Sequence, residues 1–260
     1  MKAETIDDVI AALDAIIEQA WQKQSRIGYF AALYRRVTRA VRDGIAAGEF
    51  QNGPLLQQLD VTFASRYLDA LTAFQSGGMP TRSWRVAFEG CEKPQPLILQ
   101  QLLAGINAHI NLDLGIAAAQ TTPGAELPKL KQDFDQINEV LAEQVRAVEV
   151  EIAKVSPLIG DLERLGLHTE TKIVNFDMVV ARDAAWRSAL RFAEEPRFLV
   201  SGTVEAQDLA VSLLGRTILD PPLLEETLRP IRNAESNDVR QVIEALSQSA
   251  AVAAAAGSIN

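Results

Sequence analysis

The sequence predicts an all-α protein, a multi-helix domain packed around a buried and nearly uncharged central helix. Three observations carry this expectation. Apolar residues recur at steps of three and four along nearly the whole chain, the period of an amphipathic helix. No alternating run of β-branched residues exceeds a few positions, so strand signals are weak. Between Lys93 and Glu126 the only formally charged residue is Asp113, which suits a helix enclosed by others.

The first helix carries Ile6, Val9, Ile10, Leu13, Ile17 and Ala20, with Thr5 as N-cap and Asp8 favouring the open amides. The second carries Phe30, Leu33, Tyr34, Val37, Val41 and Ile45, and Gly48 ends it. A third runs from about Pro54 through Leu56, Leu59, Phe63, Tyr67 and Leu71 to Gly77-Gly78. Pro80 opens a short helix around Trp84 and Phe88, and the uncharged helix follows from about Pro96 to Ala119. Thr121-Thr122-Pro123-Gly124 is a break. Beyond it Leu130, Phe134, Ile137, Leu141, Val145, Val148, Ile152 and Val155 form a seam of coiled-coil type, closed by Pro157 and Gly160. Further helices are expected near 177–193, 203–219 and 236–251, bounded by Glu195-Pro196 and Asp220-Pro221-Pro222. No linker forces a division, so residues 1–249 are expected to form one helical domain and 250–260 a frayed, Ala-rich tail.

Composition narrows the function classes. A formal charge of −9 argues against nucleic acid or an anionic membrane surface as partner. The uncharged helix has the length of a membrane span, but Gln100, Gln101, Asn107, His109, Asn111 and Asp113 would each need a partner inside lipid, so no span is expected. The first twenty residues carry Asp7, Asp8, Asp14 and Glu18, unlike a signal peptide. Cys91 is the single cysteine; a cytoplasmic location is expected, and with no His nearby in sequence the thiol reads as incidental rather than nucleophilic. Dinucleotide, P-loop, zincin and nucleophile-elbow motifs are absent, as are the Glu-x-x-His pairs of di-iron bundles.

Candidate chemistry sits on the central helix. His109 and Asp113 are four residues apart and share one face, while Asn107 and Asn111 form a second pair about 200° around the axis. Burying such groups without partners costs roughly 1–3 kcal/mol each. Three readings of His109 and Asp113 stand open: half of a metal site, an acid–base dyad in which Asp113 orients His109, and a polar network that fixes helix register. Asp60 interrupts an apolar stripe and is either paired or a ligand, with Arg66 able to pair Asp60 or Asp113. Arg182 and Trp186 are spaced to stack guanidinium on indole, Asp177 reads as an N-cap, and His168 reads as a solvated loop residue.

Three segments resemble domain-of-unknown-function family 5995. They are Phe30-Ala-Ala-Leu-Tyr-Arg-Arg-Val-Thr38, Leu59-Asp-Val-Thr-Phe-Ala-Ser-Arg-Tyr-Leu68 and Gly105-Ile-Asn-Ala-His-Ile-Asn-Leu-Asp-Leu114, with Arg182 to Trp186 similar to a later block. The resemblance covers the chain to about Ala193. It implies an all-helical domain without assigned activity, whose signature positions here are Asp60, Arg66, Asn107, His109, Asn111, Asp113, Arg182 and Trp186. A fainter likeness is to helical zinc-dependent phospholipase C and single-strand nucleases, whose trinuclear cluster two histidines cannot supply.

Two functions follow as expectations. In the first the protein is an enzyme or metal-using domain, with His109, Asp113 and Asp60 as catalytic groups or as ligands to one divalent metal ion. Arg66 would then hold an anionic substrate group, and Asn107, Asn111, Arg182 and Trp186 would contact the substrate. In the second it is a non-catalytic module that binds an apolar small molecule or partner helix, and the same residues are a structural network.

Overall fold

A computed structural model of the protein describes residues 3–122, 124–159, 177–222 and 224–248, and every regular element among them is helical. Helix α1 (Ile6–Lys23) opens on the expected cap: the Asp8 amide donates to Thr5 Oγ1 at 3.1 Å, and the Thr5 amide donates back to Asp8 Oδ2 at 2.9 Å. Helix α2 (Ile27–Ala47) ends at Gly48, whose φ of 74° is the left-handed turn that glycine adopts without strain. Helix α3 (Gly53–Gln75) is capped by Asn52, and α4 (Arg82–Glu92) follows. The last two receive a further cap from distant elements. Asp133 accepts the Gln51 and Asn52 amides at 2.7 Å each, and Asp208 accepts the Arg82 and Ser83 amides at 2.8 and 2.9 Å. Both carboxylates are buried, and the open N–H groups at a helix start supply their compensation.

The central helix runs unbroken through α5 (Ile98–Ala108), a π-helical turn (His109–Leu114) and α6 (Gly115–Thr121). It passes the length and hydropathy test for a membrane span, yet 83% of its most apolar window is buried inside the fold. Helices α2, α3 and α4 pack against it, as do α8 (Met178–Glu194) and α9 (Arg197–Leu219), and α4 and α9 also pack against each other. Backbones approach closely where glycine allows. A Cβ on Gly105 would sit 2.7 Å from the Phe30 ring, and one on Gly115 would sit 2.8 Å from the Ala185 carbonyl oxygen.

Helix α7 (Lys131–Val155) carries the predicted seam against α2 and α11 (Val239–Ser247). Phe134, Leu141, Val148, Ile152 and Val155 are buried, but Val145 is 42% exposed. Asp177 caps α8 as expected, accepting the Val179 and Val180 amides. The sequence reading places no helix at α10 (Glu225–Ala234), whose interior holds Pro230. It tolerates that proline because it is short and buries Leu228 and Ile231 as an anchoring pair. The frayed tail expected at 250–260, the Gly160 stop and the His168 loop lie outside the described residues.

Candidate functional site

The site grows from spacing on three helices. Asp60, Phe63 and Tyr67 recur at three and four residues on α3, Phe30 and Tyr34 at four on α2, and the π-helical turn brings His109 against both. The imidazole lies flat on Phe63, with centroids 3.5 Å apart and planes 11° from parallel. The rings of Tyr34, Phe30 and Trp84 meet it at 4.4, 5.5 and 6.0 Å. Only 3% of His109 is exposed, and neither ring nitrogen has a hydrogen-bond partner. Burial, reinforced by the Arg66 charge, holds its pKa well below the usual histidine range, so the ring is neutral.

Asp113 is equally buried but fully engaged. Arg66 Nε donates to Oδ1 at 2.7 Å and Trp84 Nε1 donates to Oδ2 at 2.6 Å. Burial raises its pKa, while Arg66 and Trp84 pull the other way. Asp113 therefore does not orient His109 in this arrangement; the expected dyad is two separate groups, because the better donors on α3 and α4 take both carboxylate oxygens. Arg66 pairs with Asp113 through Nε, so its charge is compensated in this arrangement. Asp60 has no ion-pair partner among the described residues. It is half-buried with Oδ2 out of solvent and unpartnered, and burial pushes its pKa up to about 7.

The second polar pair behaves differently. Asn107 Nδ2 donates to the Val211 carbonyl on α9, Asn111 Nδ2 donates to Asn107 Oδ1, and Gln207 Nε2 donates to the Asn111 carbonyl at 2.6 Å. The last bond meets a carbonyl of the π-helical turn. The asparagines thus stitch the central helix to α9, on the face away from His109. Arg182 does not stack on Trp186. Its guanidinium lies over the Phe134 ring, 4.4 Å from the centroid, and donates to the Phe134 carbonyl, while Lys131 sits over Trp186 at 5.5 Å.

An apolar cavity of about 110 Å³ opens beside His109, between α2, α3, the π-helical turn, α7 and α8. Asp60, Tyr34, Gln144 and Arg182 reach its wall with His109. The buried Tyr34 hydroxyl has no partner and its pKa is raised well above the usual value by burial, with Asp60 and Asp113 adding to the rise. Of the expected site residues, the structure gathers Asp60, His109 and Arg182 at this cavity. Asp113 and Arg66 are linked to each other beside the ring cluster; Asn107, Asn111 and Trp186 belong to helix packing. Sequence reasoning passed over Tyr34, Trp84 and Gln144. Trp84 carries a buried donor that must find an acceptor, which was the available signal.

These residues do not fit a divalent metal. Among the described residues no three His, Cys, Asp or Glu side chains gather to hold one. Asp113 already faces a guanidinium, so a cation beside it would meet like charge. Cys91 adds nothing here, since burial pushes its thiol up to about 12.

The family model for the family of unknown function DUF5995 matches residues 6–221, and the chain belongs to that family. No curated protein matches the chain, and no solved structure does, so the likeness to zinc-dependent phospholipases gains no support there.

Proposed function

We propose that the protein binds a small, largely apolar molecule in the cavity beside His109, with one polar group of that molecule meeting His109, Asp60 and Tyr34. One observation carries the reading: a neutral imidazole, 3% exposed, stands in a cavity wall with both nitrogens unpartnered. An unmet buried polar group costs about 1–3 kcal/mol, and here Tyr34 and Asp60 add to the count. At about 110 Å³ the cavity is smaller than the roughly 150 Å³ that takes benzene, but it is open on one side, so a one-ring molecule with a hydroxyl would enter it with part of the ring outward.

The test uses phenol and toluene, titrated into the purified chain and followed by calorimetry and by NMR of the cavity methyls. Phenol should bind saturably and about tenfold more tightly than toluene, and His109→Phe, which keeps the stack on Phe63, should erase the difference. No saturable binding of either compound overturns the reading.

A second reading, proton transfer, is favoured by the Asp60 carboxyl at about 7, a value that lets it give or take a proton near neutrality. In it Asp60 is the base, neutral His109 donates a hydrogen bond, and Asp113 is a positioning residue held between Arg66 and Trp84. A carboxyl carbon titration that places Asp60 near 4 removes it.

A further inference from the structure

We propose that the natural ligand is a single-chain carboxylate whose head pairs with Arg182 and whose hydrocarbon tail fills a second apolar chamber; this rests on the reading of the first chamber as a ligand site. Two independent observations lead here, one electrostatic and one of shape.

Arg182 is 3% exposed and lines the first chamber. Its described hydrogen bond goes to a neutral backbone carbonyl, and Nε has no partner. Asp135 and Asp183 act on it only through space, and Asp135 is itself bonded to Lys131. Burial lowers its pKa to about 10, so it remains a cation. Among the described residues this buried charge is held by one carbonyl and one aromatic face, and no carboxylate, the anion that such groups ordinarily acquire, bonds it. Gln144 lines the same chamber farther along α7, ten residues from the Phe134 carbonyl that Arg182 bonds. Its Oε1 accepts from Arg36 Nε at 2.8 Å, which leaves its amide N–H groups as donors. A carboxylate is the ligand group that matches a buried guanidinium with a free Nε, and the planar guanidinium can take both of its oxygens.

The shape argument starts from Val145, the seam residue left 42% exposed. Together with Leu33, Ile106, Leu141 and Met178 it lines both the first chamber and a second one of about 350 Å³. The second continues along Leu99, Leu102, Leu103, Val148 and Ile152, an apolar wall of the size that small-molecule sites occupy. A chain anchored at Arg182 passes the shared wall and enters it. A compact ligand would leave the second chamber unused.

The experiment titrates the full chain with dodecanoate, decanoate, octanoate and methyl dodecanoate below their micelle-forming concentrations, with phenol as the separate probe of the first chamber. Dodecanoate should bind saturably, at least tenfold more tightly than its neutral methyl ester. Affinity should fall about fourfold for each methylene removed, the effect of burying that group in an apolar wall. Arg182→Gln should lose tenfold or more in dodecanoate affinity while phenol binding stays, and Arg182→Lys should recover part of the loss. Should Arg182→Gln fail to fold, the acid-to-ester ratio in the unaltered chain decides. Equal affinity for acid and ester, or none of the chain-length dependence, overturns the proposal even where phenol binds, and the ligand reading of the first chamber then survives alone. Binding of dodecanoate without phenol retains the proposal and removes the polar contact to His109. Binding of neither overturns both.

Discussion

Replacing Asp60 by Asn should make the protein more stable near pH 8 and change little near pH 4. The carboxyl is raised from 3.8 to about 7 by burial, so the folded state holds its proton where the unfolded chain has already released it. Below pH 4 both states are protonated and the contribution is fully present. As pH climbs from about 4 to about 7 stability falls, and above 7 no further loss follows. At about 1.4 kcal/mol for each pH unit, the full displacement is worth roughly 4 kcal/mol. Asp60 keeps part of its surface in solvent, and screening there halves the figure to about 2 kcal/mol. Urea unfolding of both proteins at pH 5, 6, 7 and 8 isolates the effect, because Asp113 and Glu235, also raised by burial, remain in each. The stability difference should grow in favour of Asp60→Asn by about 1 kcal/mol or more between pH 5 and pH 8. A difference that stays flat across that range would refute the burial argument for Asp60, and the proton-transfer reading with it.

Two further outcomes follow from the geometry. Asp113→Asn and Arg66→Gln should each cost about 2–3 kcal/mol, below the roughly 3–5 kcal/mol of a fully buried pair because Arg66 retains 23% exposure. The double variant should show more than 1 kcal/mol of coupling in a denaturation cycle, and strict additivity would show that the pair contributes nothing. Gly105→Ala should cost about 1–3 kcal/mol, since its Cβ would stand 2.7 Å from the Phe30 ring, with a matching drop in midpoint on thermal melting. Unchanged stability would mean that Phe30 yields freely and that the ring cluster around His109 is loosely held.

The helices and their caps were readable because their causes are local. Thr5 and Asp8 meet within one turn, and Gly48 needs only its own φ. The partners of Asp133 and Asp208 were not readable, since each caps a helix far along the chain. The π-helical turn also left no mark. A helix buried on nearly every side has no polar face whose period could reveal an added residue in the turn. At the site, the sequence singled out Asp60, His109 and Arg182 by type and setting. It could not tell which acid Arg66 would choose, because that depends on where α3 crosses the central helix. Arg66 chose Asp113.

That choice determines the chemistry left over. Had Arg66 paired Asp60, Asp113 would keep only the Trp84 bond, and the cavity would lose its unpaired acid. With Arg66 and Trp84 both on Asp113, the central helix's own carboxylate is neutralised, and the unmet groups at the cavity become a neutral imidazole, a half-buried acid and a buried guanidinium. A divalent cation would satisfy the first two and be repelled by the third. A protein carboxylate would satisfy the third, yet none described bonds it. An amphiphile that brings its own carboxylate compensates the charge at Arg182 and covers the apolar wall from Val145 to Ile152 in one binding event, which neither water nor a metal ion can do.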